Sequence, residues 1–467
     1  MQISVNLWKR RKGLVSALLS EHFGKKNLAW LRVSERQFPF RVRADLHRAV
    51  EQVLGSELRV TKFCGVQQQH AFEGVSLTAL IAPDPHVWAV VAPPEYEEIE
   101  VGEEQPVRAL KVGLWLLEKQ GSRFAVLLSP KMEYGRLSGV RFQIATRNDA
   151  DGAKVADEFF RALELAVNAS RSYRGKILSL EEQHGYTGQS TGIKVHKLRT
   201  VQREQVILPA TTLELLDRNV VGFIKRRQKL SAFGQATKKG ILFYGPPGTG
   251  KSHTIHYLAG ALEGHTTLLI TAEQVSLLDE YMALARLLQP SLVVIEDVDL
   301  IARDRTHMHG PCEEAMLNKL LNEMDGLRET ADILFILTTN RPEMLEAALA
   351  SRPGRVDQAI EFPLPDDAGR EKLVRLYSRG AEISDDVVAQ VVNRTEKVSA
   401  AFIKELMRRS VQFHLERDGD SARIDLNDVT SALEEMLITG GTLNAQLLGG
   451  NVGGVALTNR SVRGAER

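Results

Sequence analysis

The sequence predicts an α/β protein: a parallel sheet flanked by helices, a small helical lid after it, and a mixed α/β domain ahead of it. Three observations predict this. Gly240-Ile241-Leu242-Phe243-Tyr244 is an apolar run that enters Gly245-Pro246-Pro247-Gly248-Thr249-Gly250-Lys251-Ser252, and a helical pattern continues from Ser252 through Ala259, giving strand, glycine-rich loop and helix in succession. Two further apolar runs, Leu292–Ile295 and Ile333–Leu337, end in Glu296-Asp297-Val298-Asp299 and Thr338-Thr339-Asn340, as expected of buried parallel strands whose carboxyl ends share one edge. After Pro363-Leu364-Pro365-Asp366-Asp367 the periodicity is helical from Gly369 to about Leu437.

Composition bounds the rest. A chain of 467 residues has room for about three domains, and 43% hydrophobic content can fill their cores. Sixty basic against 59 acidic residues leave a net charge of +1, so the overall field gives no reason to expect nucleic acid or a membrane surface as partner. Cys64 and Cys312 are far apart and lack metal-ligand spacing, which fits a reducing, cytoplasmic setting. No apolar run approaches the ~18 residues of a membrane-spanning helix. Lys9-Arg10-Arg11-Lys12 precede the apolar Gly13–Leu19; this reads as a basic amphipathic helix on a domain surface, with an organellar targeting peptide as the alternative.

The organisation follows from pattern changes. Residues 1–205 read as a mixed α/β domain, with helices near Ala44–Leu54 and Ala153–Val167, strands broken by Gly and Pro over Val75–Val91 and Phe124–Ile144, and Glu95–Glu104 as an acidic surface loop. Gly185–Gly192 is rich in turn formers near the hand-over. Residues 206–364 form the nucleotide-binding subdomain: a helical segment with Leu213, Leu216, Val220, Phe223 and Ile224 leads into the glycine-rich loop, and Leu268–Ile270 is a further strand. Glu273–Gln289 is expected to be one helix ended by Pro290. Residues 365–440 are the lid, and 441–467 a Gly-rich flexible tail.

The chemistry follows from residue types. Gly245, Gly248 and Gly250 permit positive φ, so with Pro246, Pro247 and Thr249 they form a cradle whose backbone N–H groups face phosphate oxygens at a helix N-terminus. Lys251 is expected on the β- and γ-phosphates of ATP, and Ser252 on Mg²⁺. Of the two acids at the next strand end, Glu296 is expected to hold the metal through its water shell and Asp297 to orient or deprotonate the attacking water. Asn340, at the neighbouring strand end, can reach the γ-phosphate or the water. Arg352 and Arg355, on a Pro-Gly turn, would be redundant with Lys251 in their own site and are read as reaching a neighbouring subunit's γ-phosphate.

As a set, these residues resemble the AAA ATPases, ring-forming P-loop NTPases that remodel other macromolecules. The likeness runs from about Leu213 to Leu437. It rests on five motifs in the family's order: the phosphate loop, the acidic strand, Met324-Asp325-Gly326, Thr339-Asn340-Arg341-Pro342, and Arg352-Pro353-Gly354-Arg355. The resemblance implies that Asn340 senses the γ-phosphate, that Arg352 and Arg355 act in trans, that the homo-oligomer is a hexamer, and that Val398-Ser399-Ala400-Ala401 approaches the nucleotide. Two features depart from it. The acids stand as Glu296 then Asp297, where the family usually has Asp then Glu. No Gly occurs from Thr271 to Ser291 and Tyr281 is the sole aromatic there, so the aromatic-Gly threading loop is absent and Tyr281 is expected to pack on the sheet. Both departures resemble the mitochondrial translocases of the Rieske iron–sulfur protein, whose transmembrane helix has no counterpart here. The loop from Arg303 to Glu313 carries Arg303, Arg305, His307 and His309, as either a partner contact in a ring channel or an exposed basic loop.

The expected function is therefore an ATP-hydrolysing ring that remodels or translocates a protein client chosen by the N-terminal domain. The alternatives are a nucleotide-gated scaffold that hydrolyses slowly and, with less support, a nucleic-acid motor, for which no zinc ribbon, helix-turn-helix or aromatic RNA-binding signature is present. A fused metalloprotease would need His-Glu-x-x-His, which the sequence lacks.

Overall fold

The computed structural model describes residues 13–24, 28–56, 58–68, 74–82, 88–133, 136–181, 192–301, 312–344, 356–418 and 423–439. The chain forms two compact units, Met1–Lys197 and Leu198–Arg467. The expected boundary near residue 205 thus compares with a division at Lys197.

The first unit runs α1 (Val15–Phe23), β1 (Leu31–Phe38), α2 (Arg43–Leu54), β2 (Arg59–Gln68), α3 (Leu77–Ile81), β3 (Ala89–Ala92), β4 (Glu95–Ile99), β5 (Val107–Lys119), β6 (Ser122–Glu133), β7 (Arg136–Arg147), α4 (Ala150–Ala169), β8 (Ile177–Leu180) and β9 (Ile193–His196). Its main sheet is ordered β1-β7-β6-β5-β2-β3, with β4 also on β5; every pairing is antiparallel. Successive strand residues face opposite sides. Leu114, Leu116, Ala125 and Leu127 pack with Val15 and Leu19 of α1 and Leu77 and Leu80 of α3. Phe124 turns to the other face, edge-on to Phe159 of α4. Of the stretch expected as a basic amphipathic surface helix, Val15–Phe23 is helical as α1, with Val15, Leu18, Leu19 and Phe23 packed into this core; Lys9–Lys12 lie outside the described residues.

Two expectations in this unit fail. Among its described residues, Val75–Val91 is not made of strands alone: the Ser76 hydroxyl accepts from the Ala79 amide and caps α3, and a strand begins at Ala89. The capping hydroxyl outweighs the extended-chain preference of the flanking residues. Nor is Glu95–Glu104 wholly a loop. Its first half is β4, paired with β5 in the register Ile99↔Val107; Ile99 and Val101 are buried, Glu95 and Glu98 are exposed, and the half-buried Glu97 pairs with Arg43.

The second unit begins with α5 (Ala210–Leu216), a π turn (Asp217–Val221) and α6 (Gly222–Ala232). It continues through β10 (Lys239–Tyr244), α7 (Lys251–Ala261), β11 (Thr266–Ile270), α8 (Leu278–Leu287), β12 (Ser291–Ile295), α9 (Val298–Ile301), α10 (Cys312–Asp325), β13 (Ile333–Thr339) and β14 (Gln358–Glu361). These strands lie in the order β14-β10-β13-β12-β11, all parallel. Sequence neighbours β10 and β11 are separated by β13 and β12, so the order reverses beside β10, where ligand crevices form in open α/β sheets. One face packs Ile241, Phe243, Val294 and Ile336 against Ile255 and Leu258 of α7 and Val220.

The lid comprises α11 (Asp367–Tyr377), β15 (Glu382–Ile383), α12 (Asp385–Arg394), α13 (Ala400–Asp418), β16 (Arg423–Ile424) and α14 (Leu426–Glu434), around a core including Val391, Phe402, Leu406 and Leu433. The purely helical expectation misses the short parallel pair β15–β16, whose two-residue strands are too brief to leave a periodic signal. Glu273–Gln289 is likewise not one helix. Ala272–Leu277 is a 3₁₀ turn opened by a Thr271–Gln274 capping box, and α8 follows. Tyr281 is fully buried, and its hydroxyl donates to Gln274 at 3.0 Å, consistent with a packing role.

Candidate functional site

The site assembles where the carboxyl ends of β10, β12 and β13 meet. Parallel register aligns Tyr244 with Thr339 and Ile295 with Leu337, so the residues after Ile295 lie beside Thr338 and Thr339. The glycine-rich loop follows β10 at that same edge.

Two glycines in the loop are fixed by their surroundings. Gly245 has φ 144°, and a Cβ there would lie 2.2 Å from the Phe362 carbonyl oxygen. Gly248 has φ 75°, and its Cβ would meet Ala401 Cβ and Ser399 Oγ, each at 2.9 Å. Gly250, at φ 102°, precedes α7, whose N-terminus carries no side-chain cap, so its first amides keep the capacity to bind an anion. The Thr249 hydroxyl donates to the Pro246 carbonyl at 2.8 Å, and Pro247 lines the adjoining cavity. Lys251 is 7% exposed, and its ammonium donates to the carbonyls of Gly245 at 2.8 Å and Pro246 at 3.0 Å. Burial lowers its pKa to about 8, against the opposing pull of Asp297 and Asp299.

The acids converge on the loop. The Ser252 hydroxyl donates to Glu296 Oε1 at 2.8 Å. Asp297, at φ 50°, donates its backbone amide to Thr338 Oγ1 at 2.9 Å, and its carboxylate accepts from Asn340 Nδ2 at 3.0 Å. Burial, then the charges of Asp299 and Glu296, push the Asp297 carboxyl above its ordinary range; Lys251 and the Asn340 bond work in the opposite direction. The lid contributes as well, since the Ala401 amide donates to the Gly248 carbonyl at 3.0 Å. A cavity of ≈ 360 Å³ joins these parts, extending from Thr249, Ser252 and Asp297 to the less polar Val206, Leu208, Leu373 and Tyr377.

The structure thus brings Gly245–Ser252, Glu296, Asp297 and Asn340 together; Arg352 and Arg355 lie outside the described residues, as do Arg303, Arg305, His307 and His309. Sequence reasoning gave no role to Asp299, Thr338 or Thr339, although two threonines ending an apolar strand were a readable signal. Val206–Leu208, Leu373 and Tyr377 left no such signal, because apolar lining looks the same as core.

Residues 241–364 match the model of the family described as ATPase family associated with various cellular activities (AAA). This segment is an AAA ATPase domain. The chain is similar to ATP-dependent zinc metalloprotease FtsH 2 of Symbiobacterium thermophilum, with 32% identity over 47% of this chain and 39% of that protein. It is similar to the proteasome-activating nucleotidase of Methanocaldococcus jannaschii, with 30% identity over 57% of this chain and 61% of that one. A third relative, the chloroplastic ATP-dependent zinc metalloprotease FTSH 6 of Arabidopsis thaliana, is 32% identical over 47% of this chain and 33% of its own length. The matches thus span from 33% to 61% of these relatives. Among the described residues no helix is long and apolar enough to cross a membrane.

Proposed function

We propose that this chain hydrolyses ATP within a homo-oligomeric ring, most simply a hexamer, and uses turnover to remodel or translocate a protein client held by its first unit. The observation that carries the reading is the joint contact of phosphate loop, acidic strand and Asn340: Ser252 to Glu296 at 2.8 Å and Asn340 to Asp297 at 3.0 Å. Lys251 moves from the loop carbonyls onto the β- and γ-phosphates, whose charge favours its protonated form. The Ser252 hydroxyl and the Glu296 carboxylate are hard oxygen donors within hydrogen-bonding distance, a set that suits Mg²⁺. When bound, the ion offsets charge on the phosphate oxygens.

Asp297 accepts the proton of the attacking water, and its raised pKa favours that acceptance. Asn340 fixes the carboxylate and presents its amide to the γ-phosphate. Val206–Leu208 with Leu373 and Tyr377 receive the adenine. Arg352 and Arg355 complete the neighbour's site. The glycine-free segment after β11 and the Glu296–Asp297 order support a motor of the Rieske-translocase type, without a gripping aromatic loop. Client recognition by the first unit is supported by its cleft of ≈ 1130 Å³, where Leu46, Ile99, Leu110 and Leu128 lie beside Arg43, Glu98 and Lys194.

A slow, nucleotide-gated scaffold is the second reading, favoured by the short Asp297 side chain already engaged by Asn340. The test joins turnover and assembly. ATP should raise the mass seen by light scattering several-fold, and the Arg352→Ala, Arg355→Ala double variant should bind ATP yet lose turnover. A single-copy species in ATP, or parental speed in that variant, would overturn the ring. A client that raises turnover several-fold would exclude the scaffold.

A further inference from the structure

We propose that Asp299 is a positioning residue for hydrolysis: its buried carboxylate accepts from the Thr339 hydroxyl and the Asn340 backbone amide, and so holds the Asn340 side chain on Asp297. The inference rests on the hydrolytic reading above. Asp299 is 2% exposed, and a carboxylate buried to that degree is costly unless hydrogen-bonded. Both of these donors come from the end of β13, at 2.9 Å from Thr339 Oγ1 and 3.3 Å from the Asn340 amide.

The Thr339 hydroxyl in turn accepts from the Arg341 amide at 2.9 Å. The Asn340 backbone is therefore pinned on both sides: its own amide on Asp299, the next amide on Thr339. That fixes the origin from which Nδ2 reaches Asp297 at 3.0 Å. Asp297 is held independently, its amide on the Thr338 hydroxyl at 2.9 Å. Consecutive threonines thus tie the two partners of the Asn340–Asp297 contact to the same strand end. The hydrogen bonds of Asp299 go to the end of β13, while its charge also acts on Lys251 and Asp297; Thr339→Val keeps that charge, so it reads the positioning effect in kcat apart from any change in nucleotide binding.

Asp299→Asn preserves shape and weakens two charge-assisted bonds; Thr339→Val removes one donor, and Thr339→Ser keeps it. Steady-state turnover and titration with a fluorescent ATP analogue read the outcome on the full chain. The first two variants should lose kcat by about tenfold, the scale of a hydrogen bond to a charged group, with the dissociation constant of Thr339→Val held within about twofold. Thr339→Ser should retain parental kcat, and the Asp299→Asn, Thr339→Val double variant should be no slower than the slower single. Should Thr339→Val fail to fold, Thr339→Ala, which also removes the hydroxyl and keeps the Asp299 charge, carries the test. Parental kcat in Asp299→Asn, loss of kcat only in proportion to lost binding, or multiplied losses in the double variant would overturn the inference while leaving hydrolysis intact. A parent chain that does not turn over ATP would remove the hydrolytic reading and this inference together.

Discussion

The two units use sheets differently. In the first, antiparallel strands bury alternate residues on two faces, and ion pairs tie the framework to itself: Arg43 to Glu97, Arg48 and Lys176 to Glu103. In the second, parallel strands end together, and Glu296, Asp297, Asp299, Thr338, Thr339 and Asn340 collect at one edge beside the phosphate loop. Charge spread over the first unit's framework pairs within it; charge converging on a shared strand edge, partnered by hydroxyls and an amide, is the arrangement on which the proposed ATP site rests. Substitutions should therefore separate cleanly, with stability lost from one unit and turnover from the other.

The largest expected separation comes from Lys251→Ala. Phosphate release should fall by about 10²–10³-fold, the range seen when one group stabilising developing charge is removed. The intrinsic fluorescence of Trp8, Trp30, Trp88 and Trp115, all in the first unit, should be unchanged. Next, Leu114→Ala should destabilise the first unit by about 2–5 kcal/mol, read by denaturant titration of the same fluorescence, with turnover kept under native conditions. Equal loss of turnover would mean the units are not separable.

Acid should sharpen the contrast. His22 is buried, its ring bonded to the Phe124 carbonyl at 3.1 Å, and burial holds its pKa below the ordinary value. The folded state disfavours the charged ring, so this contribution is present above the ordinary histidine pKa and is lost as pH falls through it. In the lid, hydrogen bonds from Arg408 and Arg409 hold Glu405 at about 2, and Arg417 holds Asp425 at about 2. Those contributions are present above the ordinary carboxylate range and disappear as pH falls toward 2, and their exposure keeps them small. Tryptophan fluorescence should thus register weakening as pH falls below the ordinary histidine value, while amide exchange in α13 and α14 stays slow until pH falls below the ordinary carboxylate range. His22→Phe should flatten the first effect. The smallest change is expected for Arg375→Ala, whose pairs with Glu371 and Asp385 are exposed and screened by solvent, so denaturant titration should leave its midpoint at the parental value.

What could be read before folding follows the same division. The second unit was legible because its chemistry is written in contiguous stretches: Gly245–Ser252, Glu296–Asp299, Thr338–Asn340. The first unit was less so. Glu95–Ile99 is acidic along most of a short strand, which looks like a loop until β5 supplies its backbone partner and Arg43 pairs with Glu97; Ser76 caps α3 with a single hydroxyl. Asp299 was in view within the acidic stretch, but its role depends on register between strands about 40 residues apart, which no local pattern records.

The central claim is that Asp297 performs the chemistry while the phosphate loop performs binding. Steady-state turnover and nucleotide affinity of Asp297→Asn, measured on the same preparation, test it most directly. The account predicts parental affinity for ATP and turnover reduced by about 10²-fold or more. Turnover at the parental rate, or turnover and affinity falling together, would contradict it.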